Sequence, residues 1–159
     1  MNFLFKRHFQ TAYVAANAKA AVATFSSRFG IAKWDIMDMQ ALHGAASPAK
    51  MICTAWVGEM MIELIEPNPA VPSIYCGWNA PEDNNLRLHH LGFLVDSEHA
   101  LSEAKTHLMG QGFPIVMDGS FGDVLDFAYA DTRSALGHYY EIIWPKEQGD
   151  SFFSRIPVN

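Results

Sequence analysis

The sequence predicts an α+β protein made of two βαβββ modules whose strands form a curled, mixed sheet shaped like a cup. Three observations lead to this prediction. A strand, a capped helix and three more strands follow one another twice, a proline-rich segment separates the two runs, and polar residues recur at matching places in both. At 159 residues the chain has the length of one domain. We expect module 1 at 8–66, a linker at 67–87, module 2 at 88–145 and a C-terminal tail at 146–159.

The first module begins at residues 8–15 with an apolar segment typical of a strand. Asn17 is a favourable N-cap for the helix that follows, and Gly30 stands where a helix is expected to end. Between them lies an apolar stripe at helical spacing, formed by Ala18, Val22, Phe25 and Phe29. Three further strands are predicted at 34–42, 50–57 and 60–66, with Gly58-Glu59 as the turn of the last hairpin.

The second module repeats this order after the linker. A strand at 89–95 leads to Ser97, which is a favourable N-cap. The helix it begins has an apolar stripe and ends at two glycines; these residues are Ala100 or Leu101, Ala104, Leu108, Gly110 and Gly112. Strands are predicted at 114–118, 124–130 and 138–144. The tail contains Phe152-Phe153 and is expected to form a short helical turn that packs its apolar side chains.

The two modules can be aligned as an internal duplication. Gln10 aligns with His90 at an offset of 80 residues, and Glu63 aligns with Glu141 at an offset of 78. A repeat at about half of the chain length identifies positions that are structurally equivalent in the two halves.

These four polar residues are the candidate metal ligands. Alternate residues of a strand share a face, so each of them stands among apolar side chains on a face that should be buried, where an unpaired charge is costly. Gln10 and His90 are each followed two positions later by a very small residue, which is Gly92 in the second module. If Gln10, Glu63, His90 and Glu141 converge, three oxygen donors and one imidazole suit one divalent ion such as Zn²⁺, Ni²⁺, Co²⁺, Mn²⁺ or Mg²⁺. Such an ion would keep positions open for two adjacent oxygens of a small-molecule substrate.

Three segments resemble the vicinal oxygen chelate superfamily, and within it the branch of glyoxalase I and methylmalonyl-CoA epimerase. They are Leu88–Val95, Met61–Pro67, and Phe127–Tyr129 with Leu136–Glu141; the resemblance extends over residues 8–145. It implies a glyoxalase-like fold and a metal-dependent lyase or isomerase that acts through a metal-bound enediolate or enolate. It also implies that Glu141 is the catalytic base, with Glu63 on the opposite side. Epimerases of this branch have an additional glutamate where this chain has Ala41–Pro48, a segment without one.

Two other functions fit the same fold. One is a binding or sequestration protein without catalytic activity, of the drug-resistance type. The other is a ring-cleaving dioxygenase. Members of the superfamily with that activity bind iron through two histidines and one glutamate, and with Gln10 and Glu63 in the ligand set this chain provides too few imidazoles. The resemblance does not specify whether glutathione or coenzyme A takes part.

Composition excludes several classes of partner. The net charge is −6 and there is no cluster of Lys and Arg, so a nucleic-acid partner is not expected. No apolar segment has the length of a membrane span. The two cysteines, Cys53 and Cys76, form no disulfide framework, which favours a reducing, cytoplasmic location. Open sheet edges lead us to expect a homodimer.

Overall fold

The computed structural model describes residues 4–77 and 86–159, and these contain eight strands and five helices. The strands are β1 His8–Val14, β2 Asp35–Asp38, β3 Ala49–Val57, β4 Met60–Pro67, β5 Arg87–Leu94, β6 Ile115–Phe121, β7 Leu125–Ala130 and β8 Tyr139–Pro145. The helices are α1 Ala18–Phe29, α2 Met39–His43, α3 Glu98–Gly110, α4 Arg133–Leu136 and α5 Gly149–Ser154. The predicted order of strand, helix and three strands is present twice.

Within the second unit the neighbouring strands follow the order β2-β3-β4, and within the first unit they follow the order β5-β8-β7-β6. β5 and β8 are parallel, whereas the pairs β2–β3, β3–β4, β6–β7 and β7–β8 are antiparallel. With β1, α1 and α3, these strands supply the repeated order of strand, helix and three strands. The predicted α+β class with two βαβββ modules is therefore confirmed.

The chain divides into two compact units. The first unit comprises the described residues up to Gln10 together with His90–Arg155, and the second comprises Thr11–His89 and Ile156–Asn159. Both boundaries between them fall inside strands, so β1 and β5 contribute residues to each unit.

In the second unit, α1 packs on the sheet through one face. Asn17 caps the helix by accepting a 2.9 Å hydrogen bond from the backbone N–H of Ala20, and Gly30 ends it at a left-handed φ of 75°. The buried residues of this core are Ala15, Ala18, Ala21, Phe25, Ile31, Cys53, Ala55 and Leu64. The predicted stripe was wrong at its end, because Phe29 lies in the last turn and is 66% exposed.

In the first unit, α3 packs in the same way. Ser97 caps it through a 3.1 Å hydrogen bond from the backbone N–H of Ala100. Of the two alternatives for the start of the stripe, Leu101 is the buried one. The buried residues of this core are Phe93, Leu101, Ala104, Leu108, Ala128, Ala130, Tyr140 and Ile142.

Two short helices were not predicted. The strand expected over 34–42 ends at Asp38, whose side chain accepts the Ala41 N–H at 2.9 Å and begins α2 instead. Residues 39–42 were therefore assigned wrongly, because an aspartate that caps its own following turn competes with the extended backbone. The second missed helix is α4, a single turn between β7 and β8 that ends at Gly137 with a left-handed φ of 75°.

The tail forms the helical turn that was expected. Phe153 of α5 packs edge-on against Phe9 with 5.7 Å between ring centroids, inside the first unit. The last residues belong to the second unit, where Asn159 Oδ1 accepts the backbone N–H groups of Ala32 at 3.0 Å and Lys33 at 2.8 Å. This amide therefore fixes the segment before β2.

Part of the predicted linker, residues 78–85, lies outside the described residues. In the described part, Asn68 is buried and donates from Nδ2 to the carbonyl oxygens of Ala45 at 3.1 Å and Ser47 at 2.9 Å.

Among residues 4–77 and 86–159, none of the helices combines the length and the apolar character needed to cross a bilayer.

Candidate metal centre in the first unit

Three of the four predicted ligands, Gln10, His90 and Glu141, belong to the first unit. They lie on β1, β5 and β8, and their exposed fractions are 3%, 0% and 5%. A buried glutamate needs a compensating partner, so its surroundings decide what this group of side chains can do.

The parallel pairing of β5 with β8 brings His90 and Glu141 together. Gly92 lies opposite Glu141 in the ladder and Tyr139 lies opposite His90, so the histidine and the glutamate are diagonal neighbours on one face. His90 Nε2 is 3.1 Å from Glu141 Oε2. The predicted choice of His90 over its neighbour His89 fits this geometry, because His89 Nε2 instead lies 3.1 Å from the carbonyl oxygen of Ile74 in the second unit.

Gly92 provides the space in which these donors meet. A Cβ added to it would lie 2.5 Å from Gln10 Oε1, 3.0 Å from Gln10 Cβ and 3.3 Å from Glu141 Oε2. The amide oxygen of Gln10 and the carboxylate of Glu141 therefore both border the volume that a larger residue would fill. Glycine is required here for space, as the sequence predicted.

The donor atoms fit a divalent metal ion. Gln10 Oε1 and Glu141 Oε2 are buried and accept no hydrogen bond from residues 4–77 and 86–159, and the contact between His90 Nε2 and Glu141 Oε2 lacks hydrogen-bond geometry. Two atoms bound to one ion at about 2.1 Å and a right angle are separated by about 3 Å, close to the distance between these two. Among the described residues, no group of three or more His, Cys, Asp and Glu side chains is placed to hold a metal ion. At this site His90 and Glu141 supply two donors, and the third is the amide oxygen of Gln10.

Aromatic side chains surround the His90–Glu141 pair. The ring of Tyr129 stands edge-on to His90 with 5.0 Å between centroids, and Tyr129 lies opposite Glu141 in the β7–β8 ladder. Tyr139 precedes Glu141 by two residues and so shares its face; both tyrosines are 3% exposed. Burial raises the pKa of Tyr139, so its phenol stays neutral at physiological pH. His90 and Glu141 are themselves 0% and 5% exposed, and an environment with little water strengthens the electrostatic interactions of the pair.

The loop before β8 carries a charged pair that sequence reasoning missed. Arg133 donates from Nε and Nη2 to the two carboxylate oxygens of Asp131, at 2.7 and 2.6 Å, and its Cζ lies 4.8 Å from the centroid of the Tyr139 ring. The Arg133 hydrogen bonds lower the pKa of Asp131, so the pair stays ionised. The spacing of Asp131 and Arg133 in the sequence gave no signal for this contact, because it depends on the turn that α4 makes.

Glu63, the fourth predicted ligand, belongs to the second unit. It is half-buried on β4 and lies opposite Thr54 of β3, and Asp35 of β2 lies opposite Thr54 on its other side. The Thr54 side chain is buried, and its Oγ1 has no hydrogen-bond partner among the described residues. The place of Glu63 in the ligand set stays a prediction.

Cys53 is unsuited to act as a nucleophile. Burial raises the pKa of its thiol to about 11, with further contributions from the carboxylates of Glu66, Asp35 and Glu63. A thiol with such a pKa is neutral at physiological pH, whereas the thiolate is the reactive form.

A separate groove of about 450 Å³ in the first unit lies between α3 and the strands β6 and β7. Lys105 and Asp118, which form an ion pair, are among the charged side chains that line it. It contains none of the predicted ligands.

Solved structures with similar folds include a hypothetical protein from Bacillus halodurans, with a TM-score of 0.63 and 18% identity over 89% of this chain and 96% of that one. They also include the methylmalonyl-CoA epimerase of Mycobacterium tuberculosis, with a TM-score of 0.65 and 14% identity over 95% of both chains. A methylmalonyl-CoA epimerase in complex with methylmalonyl-CoA and NH4+ has a TM-score of 0.58 and 15% identity, over 87% of this chain and 94% of that one.

This chain has the vicinal oxygen chelate fold. The glyoxalase-like architecture expected from the sequence is thus confirmed. No protein-family model matches the chain, and no curated protein matches its sequence. At these levels of identity the vicinal oxygen chelate fold is what is shared, and activity has to be argued from the site.

Proposed function

We propose that the protein binds one divalent metal ion through Gln10, His90 and Glu141 and is a lyase or isomerase of the glyoxalase type. The observation that carries the proposal is the pair of buried oxygen atoms, Gln10 Oε1 and Glu141 Oε2, that border the space beside Gly92. His90 Nε2, 3.1 Å from the carboxylate, adds the nitrogen donor. The predicted fourth ligand, Glu63, remains part of the proposal.

The donor set accepts Zn²⁺, Ni²⁺, Co²⁺, Mn²⁺ or Mg²⁺. When bound, the ion would act as a Lewis acid that acidifies the C–H bond next to a carbonyl and stabilises negative charge on its oxygen. Gln10 is neutral, so its amide oxygen adds a ligand without adding negative charge. His90 must present an unprotonated Nε2 for the same role.

Glu141 is the proposed base. Its carboxylate is held on a buried strand and would accept the proton from the carbon next to the carbonyl, then return it to the same or a neighbouring carbon. Tyr129 and Tyr139 exclude water from this transfer. Glu63 is proposed to move the proton on the opposite side of the substrate.

The proposed substrate is a small molecule with two adjacent oxygens. Because two of the similar structures are methylmalonyl-CoA epimerases, one of them solved with methylmalonyl-CoA, acyl thioesters belong in the set of candidates. Residues 41–48 contain no carboxylate side chain, so the extra glutamate of the epimerases has no counterpart there. We therefore propose proton transfer next to a carbonyl without restricting it to epimerisation.

Proton exchange tests this proposal. Protein loaded with each candidate metal is incubated in D₂O with α-hydroxy carbonyl compounds, acyl thioesters and hemithioacetals, and deuterium incorporation is followed by NMR. We expect incorporation into at least one class and its loss in Glu141→Gln. The matched control is Glu147→Gln, which changes an exposed glutamate and should leave exchange intact. Absence of exchange from every class and metal contradicts the enzymatic proposal.

The alternative of a sequestration protein has a different outcome in the same experiment. Such a protein would bind a ligand without exchange and without need for a stoichiometric metal, so elemental analysis distinguishes the two. The expected homodimer is a separate proposal that native mass spectrometry tests.

A further inference from the structure

We propose that the hydroxyl group of Thr54 forms a hydrogen bond with the substrate, so that the second unit selects a substrate that itself carries a hydroxyl group. The proposal rests on one part of the proposed function, the role of Glu63 beside the substrate. Thr54 is not among the predicted ligands. It adds a preference for hydroxylated carbonyl compounds, which a bound metal ion alone does not determine.

The Thr54 hydroxyl is buried without a partner. Thr54 is 3% exposed, and its Oγ1 has no hydrogen-bond partner among residues 4–77 and 86–159. A buried hydroxyl without a partner costs free energy, and the large majority of buried polar side-chain atoms in proteins are paired. Valine has the shape of threonine and would occupy this position without that cost. Packing therefore does not account for the hydroxyl, whereas a bound molecule that pairs with it does.

Thr54 lies on the face of β3 that α1 does not cover. Its neighbours in the chain, Cys53 and Ala55, belong to the core that contains the buried residues of α1, and successive residues of a strand point to opposite faces. Ile52 and Trp56 share the face of Thr54, and both are half-buried. The surroundings of Thr54 on this face are thus partly accessible, so a small molecule can approach it there.

Two carboxylates flank Thr54 in the register of the strands. Asp35 of β2 and Glu63 of β4 both lie opposite it. Opposite residues of antiparallel strands have Cβ atoms about 4.5–5.5 Å apart on the same face, so the three side chains form a row with the hydroxyl in the centre. If Glu63 moves a proton of the substrate as proposed, the substrate also lies within reach of the Thr54 hydroxyl.

This row favours a hydroxyl group on the ligand. Such a group can accept the hydrogen bond from Thr54 Oγ1 and donate its own proton to a carboxylate. A carboxylate has about four lone-pair sites, so Asp35 and Glu63 can accept this bond in addition to the interactions that they make elsewhere. A keto oxygen cannot donate, and a carboxylate of the ligand would be repelled by the like charges. α-Hydroxy carbonyl compounds therefore fit the row better than acyl thioesters that lack a hydroxyl group.

The test compares ligands in which one hydroxyl group is replaced by a methyl group. Hydroxyacetone is paired with 2-butanone, and dihydroxyacetone is paired with 1-hydroxy-2-butanone. Dissociation constants are measured by NMR titration with zinc-loaded and with metal-free protein. We expect at least one hydroxylated ligand to bind about 10-fold tighter than its partner or more, as two hydrogen bonds provide, in at least one form of the protein.

Variants of Thr54 assign this ratio to its hydroxyl group. Thr54→Val should lower the ratio by about 3- to 10-fold, because one hydrogen bond is lost, and Thr54→Ser should keep it because the hydroxyl is retained. The matched control is Thr24→Val: Thr24 lies on α1 of the same unit, donates to the carbonyl oxygen of Ala20 at 3.1 Å, and should leave the ratio unchanged. Thr54→Val should fold with an unchanged or higher urea midpoint.

Several results would overturn the role of Thr54. They are a wild-type ratio near 1 for both pairs in both forms, no binding of any hydroxylated ligand, or equal ratios in wild type and Thr54→Val. A failure of Thr54→Val to fold, or a lower urea midpoint, also overturns it, because Oγ1 would then have a partner inside the protein. Deuterium exchange and zinc affinity report on the proposed function separately, and Thr54→Val should bind Zn²⁺ as the wild type does. Exchange in the wild type with equal ligand ratios rejects only the role of Thr54.

Discussion

The two glutamates that the internal repeat makes equivalent have different surroundings. Glu141 in the first unit is 5% exposed and lies 3.1 Å from His90. Glu63 in the second unit is half-buried and lies opposite Thr54. The repeat aligns the two positions in the sequence, whereas the neighbouring strands determine what each side chain contacts.

A second difference concerns the small residues beside the ligands. Ala12 follows Gln10 by two positions and is buried, so a Cβ is accommodated there. At Gly92, the equivalent position in the second module, a Cβ would lie 2.5 Å from Gln10 Oε1. The space for a ligand is thus built into one half of the repeat, which leads to the following predictions.

Replacing the ligands should produce the largest effect. We expect Glu141→Gln to weaken binding of a divalent ion by about 100-fold or more, above the range reported for loss of an outer-shell partner. Glu63→Gln should cause a similar loss if Glu63 is the fourth ligand, as its alignment with Glu141 predicts. Calorimetric titration with Zn²⁺ measures both. An unchanged affinity in Glu63→Gln would show that the repeat does not extend to ligand function.

Filling the space beside the donors comes next. Gly92→Ala should displace the Gln10 side chain and lower metal affinity by about 10- to 100-fold, as loss of a supporting contact does. Ala12→Gly, the matched change in the other half, should leave affinity unchanged and lower stability by only about 0.5–1 kcal/mol. Equal affinities of Gly92→Ala and wild type would argue against Gln10 as a ligand.

These contrasts separate the features that local sequence signals predict from those that depend on how the strands pair. Helix caps such as Asn17 and Ser97 and the period of the strands are local signals, so the elements and the fold class followed from them. The repeat also led to the prediction that His90 and Glu141 are ligands of one ion; that role stays a prediction, and the structure places the two side chains 3.1 Å apart. The diagonal contact between them needs the parallel β5–β8 register, which no local signal encodes.

The neighbours of the site could not be predicted for the same reason. Tyr129 reaches His90 through the β7–β8 register, and Arg133 reaches Tyr139 through the unpredicted helix α4. The strand predicted over α2 was wrong because the residues Met39–Leu42 are also compatible with a strand. The hydrogen bond that the Asp38 side chain accepts from the Ala41 N–H favours the helix.

Part of the pH dependence of stability comes from the second unit. Burial, the largest cause, raises the pKa of Cys53 to about 11, so the folded state favours the neutral thiol. Its contribution is therefore fully present below the unfolded pKa, near 9, and is lost as pH rises through about 11. We expect denaturant unfolding to show a loss of roughly 2 kcal/mol over this interval. The loss should be smaller in Cys53→Ala, where only the buried Tyr140 phenol, whose pKa burial raises to about 12, still contributes in the upper part of this range, and it should be retained in full in Cys76→Ala. A pH dependence unchanged in Cys53→Ala would refute the assignment.

The smallest effects are expected when one buried threonine in each unit is replaced by valine. Thr132 Oγ1 donates to His138 in the first unit, so Thr132→Val should cost about 1–3 kcal/mol by leaving that carbonyl oxygen unsatisfied. Thr54 in the second unit has a buried hydroxyl with no partner in the described part of the chain, so Thr54→Val should be neutral or stabilise by about 1 kcal/mol. Urea denaturation measures both, and a large cost at Thr54 would contradict the prediction by indicating that its hydroxyl donates a hydrogen bond in the folded protein.

The proposed metal centre can be observed in crystals of the protein soaked with Zn²⁺, with anomalous data collected on both sides of the zinc absorption edge. We expect one strong anomalous peak about 2.0–2.3 Å from His90 Nε2 and from oxygens of Glu141 and Gln10. The same soak of His90→Ala crystals should show no peak there. A peak bound elsewhere, or His90 and Glu141 in contact with each other and with no ion at saturating zinc, would contradict it.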